Sequence, residues 1–244
     1  MKISACIPAH YGKTYFRQCV EVVEPFVDRI YVAYTPTPSF GHSTPLRNPD
    51  SHEEMRACCD GVSNKLEWIV GSWQNEWMQR GELYARAGSG FVLQPDTDEI
   101  IEPLSILAAI KMAETEPSHR HWGASYRHFW RSFSRMSVDC WLPVRLINLD
   151  APRNTETEKV KWGGLFVNHF AYACSAELVK YKLDVSYHKR EFRPGWFENV
   201  FMANKQQDVH PVVSGGWWNP VAYDKRMLPD VLKKHPNYSL ELIP

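Results

Sequence analysis

The chain has no excess of either charge. It carries 28 Lys and Arg against 28 Asp and Glu, and its formal net charge is zero at pH 7. No global field therefore draws it to nucleic acid or to an anionic membrane, although a local basic patch stays open. No stretch approaches the ~20 apolar residues that a membrane span needs. The apolar run at the amino terminus is too short for a signal peptide. The six cysteines, at 6, 19, 58, 59, 140 and 174, form no C-x-x-C pair. Their spacing matches neither a disulfide framework nor a zinc site. They read as reduced thiols, and the expectation is a soluble, cytoplasmic protein. There is no internal repeat, no low-complexity segment and no linker. The 244 residues are read as a single domain, 1–244, with length enough for one well-buried core.

Aromatic residues are in surplus: 13% of the chain, including ten Trp. Such flat apolar faces line pockets for sugars and bases, although core packing accounts for most of them. Trp217 and Trp218, with Trp196 and Trp162, are stacking candidates, or parts of a packed lid.

Hydrophobic periodicity predicts a strand over 2–7 ended by Pro8, and a helix over 15–27 shortened by Pro25. Strands follow at 29–34, 66–70 and 91–93. Helices follow after Ser51, which serves as an N-cap, and over 74–87, stopped by Gly88. The prolines at 36, 38, 45 and 49 make 35–50 a loop. Strand and helix thus alternate, which predicts an α/β fold with a mostly parallel, doubly wound sheet and ligands at the carboxyl ends of its strands. An apolar helix spans 104–113. Beyond it the character changes to longer, aromatic-rich strands at 122–133 and 141–149, a polar loop at 150–161, a strand at 165–172 and a helix capped by Ser175. The 150–161 loop is a candidate to close over a bound ligand.

The most informative segment is Gln94-Pro95-Asp96-Thr97-Asp98-Glu99, where a strand runs into three carboxylates within four residues. Like charges this close repel, and a divalent cation relieves the repulsion. Mg²⁺ and Mn²⁺ take one or two carboxylates plus substrate phosphates. Alone, the turn reads first as a cap for a helix beginning near Ile101, with Glu99 at the positive end of its dipole; its place after the fourth strand of an alternating pattern turns the reading toward the metal.

This turn, the opening strand Ile3-Ser4-Ala5-Cys6-Ile7-Pro8-Ala9, the second strand Arg29-Ile30-Tyr31-Val32-Ala33 and the helix Gln79-Arg80-Gly81-Glu82-Leu83-Tyr84-Ala85-Arg86-Ala87 together resemble family 2 GT-A glycosyltransferases. The resemblance is close over 1–115 and looser beyond. It implies a GT-A, Rossmann-like fold with a nucleotide-sugar-binding half, 1–115, and an acceptor-side half, 116–244. It also implies an Mn²⁺- or Mg²⁺-dependent transfer from a nucleotide-sugar, usually UDP-linked, with inversion. Asp96 would lie by the ribose and Asp98 on the metal, with Asp96 a further metal candidate. Pro8, Ala9, His10, Tyr34, Thr35, Arg80 and Thr97 would face the nucleotide. Many relatives carry an acid after the second strand, where this chain has Tyr34-Thr35-Pro36, so specificity for uridine is open.

In the second half, 162–172 resembles a segment whose His completes the metal or diphosphate site, and His169 takes that place; His188 and His210 are weaker candidates. A lone His in an apolar strand is otherwise a hydrogen-bonded core residue. An inverting transfer needs a general base. Asp139 is the first candidate and Glu191 the second, each of which, taken alone, reads more readily as a solvated surface acid. The resemblance extends to compact glycosyltransferases of bacterial viruses, some of which modify hydroxymethylated DNA bases, which would place the chain in a host cytoplasm. Arg127, Arg131, Arg135 and Arg145, interleaved with Trp130, Phe133 and Trp141, could meet a DNA backbone and a flipped base. The acceptor is thus a saccharide or modified DNA. Two other functions stay open: a non-catalytic saccharide- or nucleic-acid-binding protein on the same fold, and a nucleotidyltransferase that makes the sugar nucleotide. The second would need a Gly-rich basic phosphate loop, of which 8–13 is a poor version.

Overall fold

The computed structural model describes residues 1–38, 44, 46–138, 141–207, 209–212 and 218–244. Its first half alternates as the sequence predicts: β1 (Ile3–Ala9), α1 (Lys13–Val23), β2 (Arg29–Tyr34), α2 (His52–Ala57), β3 (Leu66–Val70), α3 (Glu76–Ala87) and β4 (Phe91–Leu93). The four strands lie side by side in the order β3-β2-β1-β4, and every pairing among them is parallel. Their carboxyl ends therefore share one edge, where an α/β sheet gathers its ligands.

Period-two alternation sorts β1 between two layers. Ala5, Ile7 and Ala9 join the main core with Phe16, Cys19 and Val20 of α1. Cys6 faces the other way, into a smaller core with Leu83 and Ala87 of α3. Pro8 does not end β1, contrary to the sequence reading. It pairs with Ala33, while β4 has already stopped at Leu93, opposite Ala5. Pro8 therefore has a strand on one side only, where a missing N–H is tolerated.

The second half adds β5 (Glu99–Ile101), α4 (Pro103–Thr115), β6 (His121–Trp130), β7 (Arg135–Val138), β8 (Val144–Asn148), β9 (Val160–Tyr172), α5 (Ala176–Val185), β10 (Val221–Ala222) and α6 (Asp230–Lys233). β8 joins the outer edge of β4 antiparallel, and β6 joins β8 antiparallel. β9 runs parallel along β6 and antiparallel to β5. The α/β architecture thus stands, with β1 to β4 all parallel and the later strands in mixed directions.

Aromatic residues glue this half together. Phe129 and Phe170 stack at 4.7 Å, and Tyr15 of α1 stacks on Phe170 at 4.7 Å. Trp130, Trp196 and Phe201 pack edge to face or tilted and are buried.

Three sequence expectations change here. No helix begins near Ile101; the acidic turn runs straight into β5, and α4 begins at Pro103. The 150–161 segment is no lid. Asp150 accepts from the Gly90 N–H, and the Thr157 carbonyl accepts from the Arg120 N–H. Gly90 precedes β4, so the segment sits at the amino ends of the strands, away from the acidic turn. Val160 and Lys161 already belong to β9.

Gly12 sets the chain's turn into α1. Its φ is +107°, and a Cβ there would meet Thr97 Oγ1 at 2.3 Å. Gly61 has φ +72° with nothing within 4 Å of that position. Gly61→Ala should therefore cost about 1 kcal/mol, from backbone strain alone. Gly12→Ala should cost at least ~2 kcal/mol more, because it also pushes against Thr97. Urea unfolding of the two variants measures the difference; equal costs would remove the Gly12–Thr97 contact from the account.

Candidate active site

The acidic turn opens on a cleft of about 720 Å³. Its floor is the carboxyl end of β1, with Pro8, Ala9, His10 and Tyr11, and the turn itself, Asp96 to Glu99. One wall comes from α3, through Glu76, Trp77, Gln79 and Arg80. Another comes from α5 and the segment after it, through Lys182, Tyr187 and His188.

The carboxylates are sorted by their partners. Asp96 is gripped from two sides: Arg80 Nη2 donates to Oδ1 at 2.5 Å and Arg145 Nη2 donates to Oδ2 at 2.9 Å. Burial alone would raise its pKa. The two guanidinium charges outweigh burial and hold the carboxyl well below the usual range. Asp96 was a metal candidate in the sequence, but both of its oxygens are taken by arginines. Glu99 is 1% exposed. It accepts two hydrogen bonds from Arg145, each 2.6 Å, and one from Tyr126 Oη at 2.5 Å. It is an internal anchor for Arg145 rather than a group that meets solvent.

Asp98 is arranged differently. Lys182 Nζ donates to Oδ2 at 2.5 Å, and Oδ1 lies 3.6 Å from His169 Nε2. Burial opposes ionisation here too, and the Lys182 ammonium overcomes it, lowering the pKa. The β5–β9 register makes the meeting possible. Glu99 pairs with His169, and the Phe170 N–H donates to the Asp98 carbonyl at 2.9 Å. His169 Nδ1 is 2.8 Å from His128 Nδ1. Burial pushes the His169 pKa down to about 3, so the imidazole is neutral at pH 7 and its approach to Asp98 is not an ion pair. When His169 carries its proton on Nδ1, its Nε2 lone pair points toward Asp98.

Among the described residues, no group of three or more His, Cys, Asp or Glu is placed to hold a metal by itself. Asp98 Oδ1 and His169 Nε2 nevertheless fit as two neighbouring ligands of a divalent cation whose other ligands are water and phosphate oxygens. His128 fits as the partner that fixes the ligand's tautomer. Counting formal charges on the cleft wall, Arg80, Arg145 and Lys182 face Glu76, Asp96, Asp98 and Glu99. One negative charge is left over, which favours a cation. Arg80 Nη1 is buried with no hydrogen-bond partner, an N–H available to a ligand oxygen.

The other expected residues divide. Pro8, Ala9, His10 and Thr97 line the cleft. His10 bridges the Thr35 carbonyl at 2.7 Å and Tyr181 Oη at 2.8 Å. Thr97 Oγ1 donates to the Tyr11 carbonyl at 2.9 Å. Tyr34 and Thr35 do not line the cleft. The Tyr34 hydroxyl donates to the Asp50 carbonyl, and the Thr35 hydroxyl donates to the Thr37 carbonyl; both side chains are spent on fastening the loop after β2. Asp139 lies outside the described residues, as does Trp217. Glu191 does not line the cleft but accepts from His188, which does. His210 bonds the Val212 carbonyl and packs on Trp218.

The stacking candidates are packing residues or lie elsewhere. Trp196 and Trp218 are buried, and Trp162 pairs with Gly123 away from the cleft. The tryptophan at the cleft is Trp77, 81% exposed. Sequence reasoning passed over it, although its large ring stands on the exposed face of α3, which it shares with the small residues Gly81 and Ala85. The arginines do not form a common basic face either. Arg131 is buried and donates to the carbonyls of Phe201 and Ile243. Arg145 is locked to Glu99 and Asp96. Arg127 donates to Asn168 Oδ1 and stacks on Phe166.

No protein-family model matches the chain, and no curated protein matches it. Part of the chain is similar to solved structures. Glucosyl-3-phosphoglycerate synthase from Mycobacterium tuberculosis, in complex with Mn²⁺, UDP-glucose and phosphoglyceric acid, is 14% identical. The match covers 52% of this chain and 44% of that one, with a TM-score of 0.37. S. aureus TarS 1–349 in complex with UDP-GlcNAc is 15% identical over 53% of this chain and 35% of that one, with a TM-score of 0.38. A mycobacterial protein is 14% identical over 52% and 41%, with a TM-score of 0.38. This chain spans less than half the length of each. These are distant likenesses, and the functional reading stands on the cleft.

The Arg145–Glu99 pair should dominate local stability. Removing one partner of a buried pair leaves the other charged and unpaired, so Arg145→Met should cost about 3–5 kcal/mol in urea unfolding. Adding Glu99→Gln should recover more than half of the loss. A cost under ~1 kcal/mol for Arg145→Met would show that Glu99 is not a charged anchor.

Proposed function

We propose that the protein is a metal-dependent glycosyltransferase. It moves a sugar from a nucleotide-sugar, UDP-linked in this reading, to an acceptor hydroxyl with inversion. The observation that carries the reading is the placement of Asp98 Oδ1 and His169 Nε2, 3.6 Å apart on one cleft, at the carboxyl edge of the parallel strands. Asp98 and His169 would hold Mn²⁺ or Mg²⁺ beside the donor's diphosphate. The metal, when bound, would neutralise the charge that develops on the diphosphate as its bond to the sugar breaks.

The chain's own residues supply the rest. Arg80 and Arg145 fix Asp96 at the cleft wall, where it can accept from a ribose hydroxyl. Arg80 Nη1 offers a hydrogen bond to a ribose or phosphate oxygen. Lys182 steadies Asp98 and adds a positive charge near the leaving group. Trp77 at the rim gives a flat face to a base or sugar. For the acceptor, a saccharide is favoured over DNA, because Arg131 and Arg145 are buried and committed rather than spread along a groove.

The nucleotidyltransferase alternative loses its phosphate loop. The N–H groups of Gly12 and Lys13 both donate to Asp50 Oδ2, at 2.6 and 3.1 Å, so a carboxylate already fills the start of α1. A non-catalytic binding protein stays as the second reading, and donor hydrolysis separates it from an enzyme.

The direct test is a thermal-shift panel of nucleotide-sugars with and without Mn²⁺. A donor at 100 times its Kd should add about 2.7 kcal/mol of stability. The gain should need Mn²⁺, and Asp98→Asn should lose it while still melting cooperatively. A metal-dependent shift that survives Asp98→Asn removes the metal assignment. The absence of a shift with any nucleotide-sugar removes the glycosyltransferase reading.

A further inference from the structure

We propose that His188 is the general base of the transfer and that Glu191 positions it; the assignment rests on the glycosyltransferase reading above. An inverting displacement needs a group that takes the acceptor's proton as its oxygen attacks. Each carboxylate on the cleft wall is already held by a cation. Arg80 holds Glu76 and Asp96, Lys182 holds Asp98, and Arg145 holds Glu99. Asp96 and Asp98 are thereby held in the ionised form, and Glu99 is only 1% exposed.

The imidazoles of the cleft differ in what they have left. Both nitrogens of His10 are engaged, by the Thr35 carbonyl and Tyr181 Oη. His169 is turned between His128 and Asp98. His188 makes one side-chain hydrogen bond, from Nδ1 to Glu191 Oε2 at 3.0 Å. Among the described residues its Nε2 has no partner. The ring is half-exposed, on the cleft wall formed by the segment after α5. Its backbone is fixed locally: the His188 N–H donates to Ser186 Oγ at 3.1 Å, and the Glu191 N–H donates to the His188 carbonyl at 2.8 Å.

This is the geometry of an oriented base. With Nδ1–H given to Glu191, the tautomer is set and the Nε2 lone pair is free. In the reaction the acceptor's O–H proton passes to Nε2, and the acceptor oxygen bonds to the anomeric carbon. The bond from that carbon to the diphosphate oxygen breaks, and the diphosphate leaves with the electron pair. Glu191 stabilises the imidazolium that forms and does not take its proton. Glu191, the second base candidate in the sequence, thereby acts through His188.

The full chain tests this with water as acceptor. Release of the nucleoside diphosphate is followed over the panel of UDP-sugars and other nucleotide-sugars with Mn²⁺. His188→Ala should lower kcat by about 10²–10⁴-fold, leave the donor KM within about twofold, and regain rate on addition of imidazole. Glu191→Gln should lower kcat by about tenfold at an unchanged donor KM, without rescue by imidazole. Both side chains are half-exposed, and thermal melts verify that the variants fold. Wild-type kcat in His188→Ala, or the loss appearing in Asp139→Asn instead, overturns the assignment while the glycosyltransferase reading stands. A wild-type chain that neither binds nor turns over any donor overturns both.

Discussion

Seven charged groups meet around one turn, and the fold is organised so that none of the buried ones is left alone. Arg80 comes from α3, Arg145 from β8 and Lys182 from α5, and all three converge on the turn after β4. A buried charge without a partner costs several kcal/mol. The network therefore completes only when the helix on one face, the antiparallel strand at the edge and the late helix have all docked. Local chemistry at the cleft is in this way tied to assembly of the whole chain.

The pairing of β5 with β9 carries the same logic in backbone form. β5 is three residues long, yet it puts Glu99 opposite His169 and leaves the Asp98 carbonyl bonded to the Phe170 N–H. A one-residue slip would turn His169 to the opposite face. Ile100 and Ile101 are fully buried and oppose such a slip, because it would bring polar residues into their place. Apolar residues with no chemistry of their own thus hold the geometry between Asp98 and His169.

Much of this could be read in advance, and the failures have a common cause. The parallel half was legible because its strands and helices each spend enough residues to display a period. β5 was not, since three residues show none, and the acidic turn looked like a helix cap. The polar character of 150–161 was legible, but its end of the sheet was not, because that depends on β8 running antiparallel to β4. Residue types were read better than residue partners. Arg145 was seen as a cation, but its choice between DNA and Glu99 is settled by burial, which a side chain's identity does not state. Tyr34 and Thr35 were placed correctly at a strand end, yet their hydroxyls serve the following loop. The tryptophans singled out for stacking were misread for a related reason: Trp196 and Trp218 fill the core. The informative one, Trp77, was marked by a large ring on the exposed side of a helix, among small residues.

The charge balance bears on how the proposed ligands enter. Three cations against four carboxylates leave the cleft formally negative. A diphosphate brought in alone adds like charge to a site of low dielectric, where repulsion is strong. A divalent cation alone gains Asp98 and His169 but must share Asp98 with Lys182, whose ammonium burial disfavours and the Asp98 charge sustains. Together the two ligands nearly cancel, and each removes the main obstacle to the other. Donor and metal are then thermodynamically coupled, each raising the affinity for the other by the same factor. In this reading the arginines do not simply compete with the metal for carboxylates. By neutralising Asp96 and Glu99 they leave Asp98, with Oδ1 beside His169, as the carboxylate of the turn with an oxygen to spare, and so decide where on the turn a cation can sit.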